Sequence, residues 1–145
     1  MNSFKQLIGL EFNSFYKIKI REDGEVYTIN DSIIISGIDR TNRYQIFTDQ
    51  KGVSVFDLNK QDVHVDGEYN VEEVLIAPIL LVEKFIIEKI QCIWDINKLC
   101  KLGFVFYSSK ENFYFIRLSD EIRMIHKDVY EQSLSTLNHV VVGEK

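Results

Sequence analysis

Between residues 61 and 73 the chain reads QDVHVDGEYNVEE: even positions carry Asp62, His64, Asp66, Glu68, Asn70 and Glu72, and odd positions carry Val63, Val65, Gly67, Tyr69 and Val71. On an extended strand, side chains two residues apart share one face at a spacing of about 7 Å. An imidazole flanked by carboxylates at that spacing could bridge a metal, and His64 with Asp62 or Asp66 would be the core of a metal-dependent site. Metal centres, however, draw ligands from several elements and orient them through ordered outer partners. No HxH or HExxH pattern accompanies these residues. The expectation is therefore a solvated strand face, with a protein-binding acidic face as the alternative, and no metal and no cofactor.

The second candidate is Asp120 beside Glu121, at the end of GFVFYSSKENFYFIRLSDEIRM, residues 103 to 124. Adjacent residues on a strand point to opposite faces. Two diverging carboxylates cannot serve one substrate as acid and nucleophile, so this pair reads as a turn between strands. His126 and His139 have no nucleophile elbow or reactive-cysteine context to serve, and the chain has no glycine-rich phosphate loop. No enzyme is expected.

Charge gives a more specific lead. Residues 1–73 hold 13 acidic against 8 basic side chains, whereas residues 74–145 hold 9 of each, so the whole net charge of -5 lies in the first half. Such a protein repels phosphate backbones, which argues against nucleic acid and for a basic protein partner. Asp57, Glu72 and Glu73 extend the acidic stretch, and only Lys60 interrupts it. The candidate partner-binding residues are Asp57, Asp62, Asp66, Glu68, Glu72 and Glu73. Tyr69 would anchor a partner only if exposed, and its odd-face position predicts burial.

The elements that must position these residues are mostly strands. A chain of 145 residues fits a single domain, with division into two related β-rich halves, about 1–73 and 74–145, as an open reading. Glycines at 9, 24, 37, 52 and 67 punctuate runs rich in Val, Ile, Tyr and Phe. Strands are predicted near 14–21, 25–30, 32–38, 43–48 and 53–58, with turns at Asp23-Gly24 and at DQKG, 49 to 52. The alternation over 62–72 predicts a strand with one wet face. Residues 80–95 fit either period, and their β-branched and aromatic content favours a strand. The runs 103–107 and 113–118 are apolar on both faces and should be central strands of a long hairpin, followed by a strand at 120–126. Helices are expected only at 3–9, capped by Ser3 and stopped by Gly9, and at 126–138, with Val129, Leu134 and Leu137 inward and His139 near its end. The fold class is α+β, predominantly antiparallel β: a strand meander with a long central hairpin, one short N-terminal helix and one C-terminal helix.

Cys92 and Cys100 are too few for a disulfide framework or zinc knuckle and read as thiols in a reducing compartment. The N-terminus has no signal-peptide pattern. The longest apolar run, 74 to 82, contains Pro78 and falls short of the roughly 20 residues of a membrane helix. A cytoplasmic protein without membrane contact is expected.

Residues 86–126 comprise a strand ending at Trp94, an apolar strand, a polar turn, a second apolar strand and DEIRMI. This arrangement resembles the C-terminal portion of small bacterial immunity proteins. The resemblance implies a non-enzymatic cytoplasmic protein that binds a cognate toxin domain and blocks it. The acidic residues above come from charge and not from the resemblance: a basic toxin would be steered to them. The alternative is a small β-rich module that binds a small molecule or peptide in an aromatic-lined pocket.

Overall fold

The computed structural model describes residues 4–38, 41–49, 52–67, 70–97, 101–118 and 121–135, and the backbone of 139–144. A 3₁₀ turn, Phe4–Leu7, precedes β1 (Glu11–Glu22), β2 (Glu25–Ser36), β3 (Arg43–Asp49), β4 (Gly52–Asp57) and β5 (Glu73–Ile86). Then follow β6 (Lys89–Asp95), β7 (Lys101–Tyr107), β8 (Phe113–Leu118), β9 (Glu121–Ile125), helix α1 (Lys127–Ser135) and β10 (His139–Glu144). The strands form two antiparallel sheets, ordered β4-β3-β2-β1-β5 and β10-β6-β7-β8-β9. Both have the same topology. Four consecutive strands lie side by side, and the fifth returns to flank the first.

Between the sheets lies an apolar core that draws on both, including Phe12, Phe15, Ile33, Ile35 and Phe85 from the first and Ile90, Cys92, Phe104, Phe106, Phe113 and Phe115 from the second. Phe15 sits 4.9 Å from Phe113 and 5.8 Å from Phe115 between ring centres, and Phe85 sits 4.6 Å from Phe113. Burying each such ring contributes roughly 1.5–3 kcal/mol. Phe4 closes one margin of the core against Phe104 at 4.7 Å. The N-terminal helix expected over 3–9 is thus a single 3₁₀ turn, anchored by the buried Phe4 and Leu7; Ser3 lies outside the described residues.

Each sheet is also apolar on its outer face, and in each the link from fourth to fifth strand covers that face. On the first sheet, Val63 and Val65 of the link pack against Ile18, Ile20, Ile29 and Ile34. On the second, Tyr130 and Leu134 of α1 pack against Ile93, Val105 and Tyr114. Strand β1 serves both layers, Phe12 and Phe15 inward and Ile18 and Ile20 outward, and its register shifts against β5 and β2 along this stretch. The inward Lys17 lies at the sandwich margin, where its Nζ donates to the Ile122 carbonyl at 3.3 Å. Burial lowers its pKa. Arg117 of β8, the register partner of Ile122, donates to the Thr48 hydroxyl and the Asp49 carbonyl, linking the second sheet to β3.

Several expectations need correction. Residues 62–66, part of the predicted strand 62–72, have no strand partner. Their alternation is real in burial, with Val63 and Val65 half-buried and His64 and Asp66 exposed. A side chain replaces the missing ladder: the Gln45 amide accepts from the His64 N–H at 2.7 Å and donates to the His64 carbonyl at 2.7 Å and to the Ser32 hydroxyl at 2.9 Å. The strands expected at 25–30 and 32–38 are one strand whose register skips between Ile29 and Ile33 opposite Lys17/Ile18, so the polar Asn30–Asp31 marks a bulge instead of a turn. The run 80–95 is extended, but it divides into the end of β5 and β6. Pro78 lies in β5, at the sheet edge, where its missing N–H is tolerated.

In α1, Val129 is 49% exposed and Tyr130 takes the inward position, with Leu134 one turn on. Leu137 lies outside the described residues. His139 begins β10 and lies beyond the helix. Gly103 admits Tyr130: a Cβ there would lie 2.7 Å from the Phe115 carbonyl and 3.2 Å from the Tyr130 ring.

Replacing Gln45 with Leu should leave both backbone groups of His64 without their protein partner and lower stability by about 2–3 kcal/mol. Amide exchange at His64 should accelerate with it. A urea midpoint and His64 exchange rate equal to those of the parent would remove Gln45 from this role.

Candidate functional site

The Asp23-Gly24 pair forms the predicted two-residue turn, with φ of +50° and +79°. Both values are positive, as a type I′ hairpin turn requires. The turn sets the register: Glu22 faces Glu25, Arg21 faces Val26 and Ile20 faces Tyr27. On its other side β1 places Arg21 opposite Glu73 and Ile20 opposite Val74. The end of the 58–72 link is tied to the same tip. The Glu72 N–H donates to the Arg21 carbonyl at 2.8 Å, the Asn70 N–H to Glu22 Oε2 at 2.7 Å, and the Gly24 N–H to Glu72 Oε1 at 3.4 Å.

Glu22, Asp23, Glu25, Glu72 and Glu73 therefore share one end of the first sheet. Arg21 is the cation that neutralises part of this charge, through a 3.3 Å contact with Glu73. Among these carboxylates stand apolar side chains that water reaches: Val26 is 47% exposed, Tyr27 43%, Val71 37% and Val74 40%. Tyr27 and Val74 flank the buried Ile20 in one row across three strands. The Tyr27 hydroxyl donates to Glu25 Oε2 at 2.7 Å. That hydrogen bond, followed by the charge of Glu25, raises the phenol's pKa. Tyr27 and Val74 share the outer face with Glu22 and Glu25, whereas Val26 and Glu73, both opposite Arg21, take the other face. On the outer face, apolar area bordered by carboxylates is the anatomy of a protein-binding surface.

The structure distributes the sequence-derived candidates unevenly. Glu72 and Glu73 belong to the tip. Asp66 is exposed and accepts the Gly67 N–H at 2.9 Å. Asp62 is exposed and lines a groove of about 450 Å³ with Arg43, Val63, Val74 and Ile76. Asp57 is half-buried and shapes the turn after β4, its carboxylate accepting the Asn59 N–H at 2.9 Å. Glu68 and Tyr69 lie outside the described residues.

Glu22, Asp23, Glu25 and Tyr27 were missed as site residues. Their signal was present in REDGEVY, because an Asp-Gly turn fixes which residues face one another, but it was read only as a turn. His64, the imidazole that suggested a metal, sets its ring 4.7 Å from Phe47 and 5.4 Å from Phe56. Among the described residues no group of three His, Cys, Asp or Glu side chains is placed to hold a metal ion. Asp120 lies outside the described residues; Glu121, which begins β9, accepts from Arg123 Nε at 2.6 Å, and this hydrogen bond lowers its pKa.

A second groove, of about 550 Å³, includes Leu80, Phe113, Tyr114, Met124, Ile125 and His126 in its lining. Phe104, Phe106 and Phe115 are buried between the sheets. Among the described residues no helix is long and apolar enough to cross a membrane. The described residues define a class: an antiparallel two-sheet sandwich with, among those residues, a 3₁₀ turn near one end of the chain and one α-helix near the other. No family model, curated protein or solved structure matches the chain.

Replacing Glu25 with Gln should lower the Tyr27 pKa toward that of free tyrosine, followed through the Tyr27 ring signals in an NMR pH titration. The parent phenol should ionise above the usual tyrosine value. An identical titration in the two proteins would show that the Glu25 contact does not form in solution.

Proposed function

We propose that this chain is a non-enzymatic immunity protein of the cytoplasm, which binds a basic toxin domain through the tip of its first sheet. The observation that carries this reading is the coincidence, on the outer face of one tip, of the carboxylates of Glu22 and Glu25 with the exposed side chains of Tyr27 and Val74. A carboxylate rim favours encounter with a cationic surface and repels acidic or phosphate-bearing competitors. Tyr27 and Val74 supply apolar area that charge alone would lack. The sandwich beneath them holds the surface in one shape, so little ordering entropy is lost on binding.

A second reading, a module for a small molecule or peptide, is favoured by the groove beside Leu80, Phe113 and Met124, whose volume suits a small ligand. The two differ in salt dependence. Binding through the tip weakens as ionic strength rises, whereas binding in an apolar groove does not.

Affinity capture from the native host at low and moderate salt should recover a basic partner that is toxic when expressed alone. Glu25→Lys with Glu73→Lys changes two exposed residues and should preserve the fold. It should slow association with that toxin by about ten-fold at low salt, with a smaller change in dissociation. Association rates equal to the parent's at low salt would remove the tip from the interface. Capture of a small ligand whose affinity ignores salt would favour the second reading.

A further inference from the structure

The groove beside the tip contains a cation that the fold leaves unused. Arg43 is half-buried, and its guanidinium has no hydrogen-bond or ion-pair partner among the described residues. Half-buried guanidinium groups ordinarily recruit a carboxylate or phosphate, often through two parallel hydrogen bonds. Here the other lining residues are Val63, Val74 and Ile76, with the exposed Asp62. Val74 belongs both to this groove and to the tip, which makes the two surfaces continuous. The combined surface therefore runs from the carboxylates on the outer face of the tip, over aliphatic side chains, to the Arg43 guanidinium.

We infer that this groove takes an extended segment of the partner that is basic at one end, aliphatic in the middle and carboxylate-bearing at the other. Its cationic end meets Glu22, Glu25 and Glu72. Its aliphatic side chains lie on Val63, Val74 and Ile76, and its carboxylate meets Arg43. Asp62, in the same groove, repels anionic groups elsewhere along the segment and so confines its acidic residues to the end that meets Arg43. The inference rests on the tip being the partner-binding surface and adds the chemistry of what binds there.

The test uses the full ¹⁵N-labelled chain and three acetylated peptides. The probe is Lys-Lys-Thr-Val-Thr-Val-Thr-Glu-Glu; one control replaces both Val by Ser, and the other replaces both Glu by Lys. The probe should shift the amide signals of Arg43, Val63, Val74 and Ile76 together with those of the tip hairpin. The serine control should bind at least about ten-fold more weakly, since the aliphatic contacts are lost. Arg43→Glu should weaken the probe by about ten-fold and strengthen the lysine-ended control. Val74→Lys, at an exposed position, should weaken the probe whatever Arg43→Glu does to folding.

Shifts confined to the hairpin and unaffected by the serine control or by these substitutions would overturn the groove assignment while leaving the tip as the binding surface. No shifts with any peptide at millimolar concentration would overturn it outright. Groove shifts without capture of a basic toxin would support the groove and remove the immunity reading.

Discussion

The buried side-chain amide of Gln45 pairs with both backbone polar groups of His64, and through them with the link between β4 and β5. Much of the molecule depends on this contact, because the first sheet carries apolar residues on both faces. Its inner face meets the second sheet. Its outer face, with Ile18, Ile20, Ile29 and Ile34, has to be covered by something. Residues 62–66 do this without regular structure, and a segment with no ladder must have its backbone groups satisfied by other means. Gln45 supplies a donor and an acceptor at one side chain, as a neighbouring strand would. The link then carries its chain onward to Asn70 and Glu72, which are tied to the β1–β2 tip.

The second sheet solves the same problem with a helix. Both sheets have one strand order, and in both the link from fourth to fifth strand crosses the outer face. Lys127–Ser135 forms a helix over its sheet, with Tyr130 and Leu134 one turn apart facing inward. Residues 62–66 instead alternate Val with polar residues, which suits an extended chain. The period of the apolar residues decides which cover forms. The consequence for binding is an asymmetry: the extended link brings Glu72 and Glu73 to the end of the first sheet, and its packing leaves a groove beside Asp62, Val74 and Ile76.

That asymmetry also explains why the surface at the tip combines charge with apolar area. At the end of β1 the strands run out of core, so Val26 and Tyr27 of β2 and Val74 of β5 have no layer above them. Water reaches them because the link ends here and turns into β5. The carboxylates around them are held by backbone donors at Gly24 and Asn70, by the Tyr27 hydroxyl and by Arg21. Such contacts are exposed, contribute little to stability, and mainly fix where the charges stand.

The amino-acid sequence by itself determined the local periods and the sharp turns. The Asp23-Gly24 hairpin was legible because positive φ at both positions is a demand few residue pairs meet. The central strands β7 and β8 were legible because 103–106 and 113–116 hold apolar residues on both faces. Alternation from Val63 to Asp66 correctly gave which side chains are wet, yet it could not give a strand. A strand needs a neighbouring backbone, and whether one is in reach is a property of the assembled sheet. The tertiary structure decided that Gln45 takes that place, that Tyr130 and not Val129 turns inward, and that Glu22, Asp23 and Glu25 join Glu72 and Glu73. Some 45 residues of chain separate those two acidic groups. Only the pairing of β5 with β1, set by packing of Phe12 and Phe15 against Phe85 and the second sheet, brings them to one end.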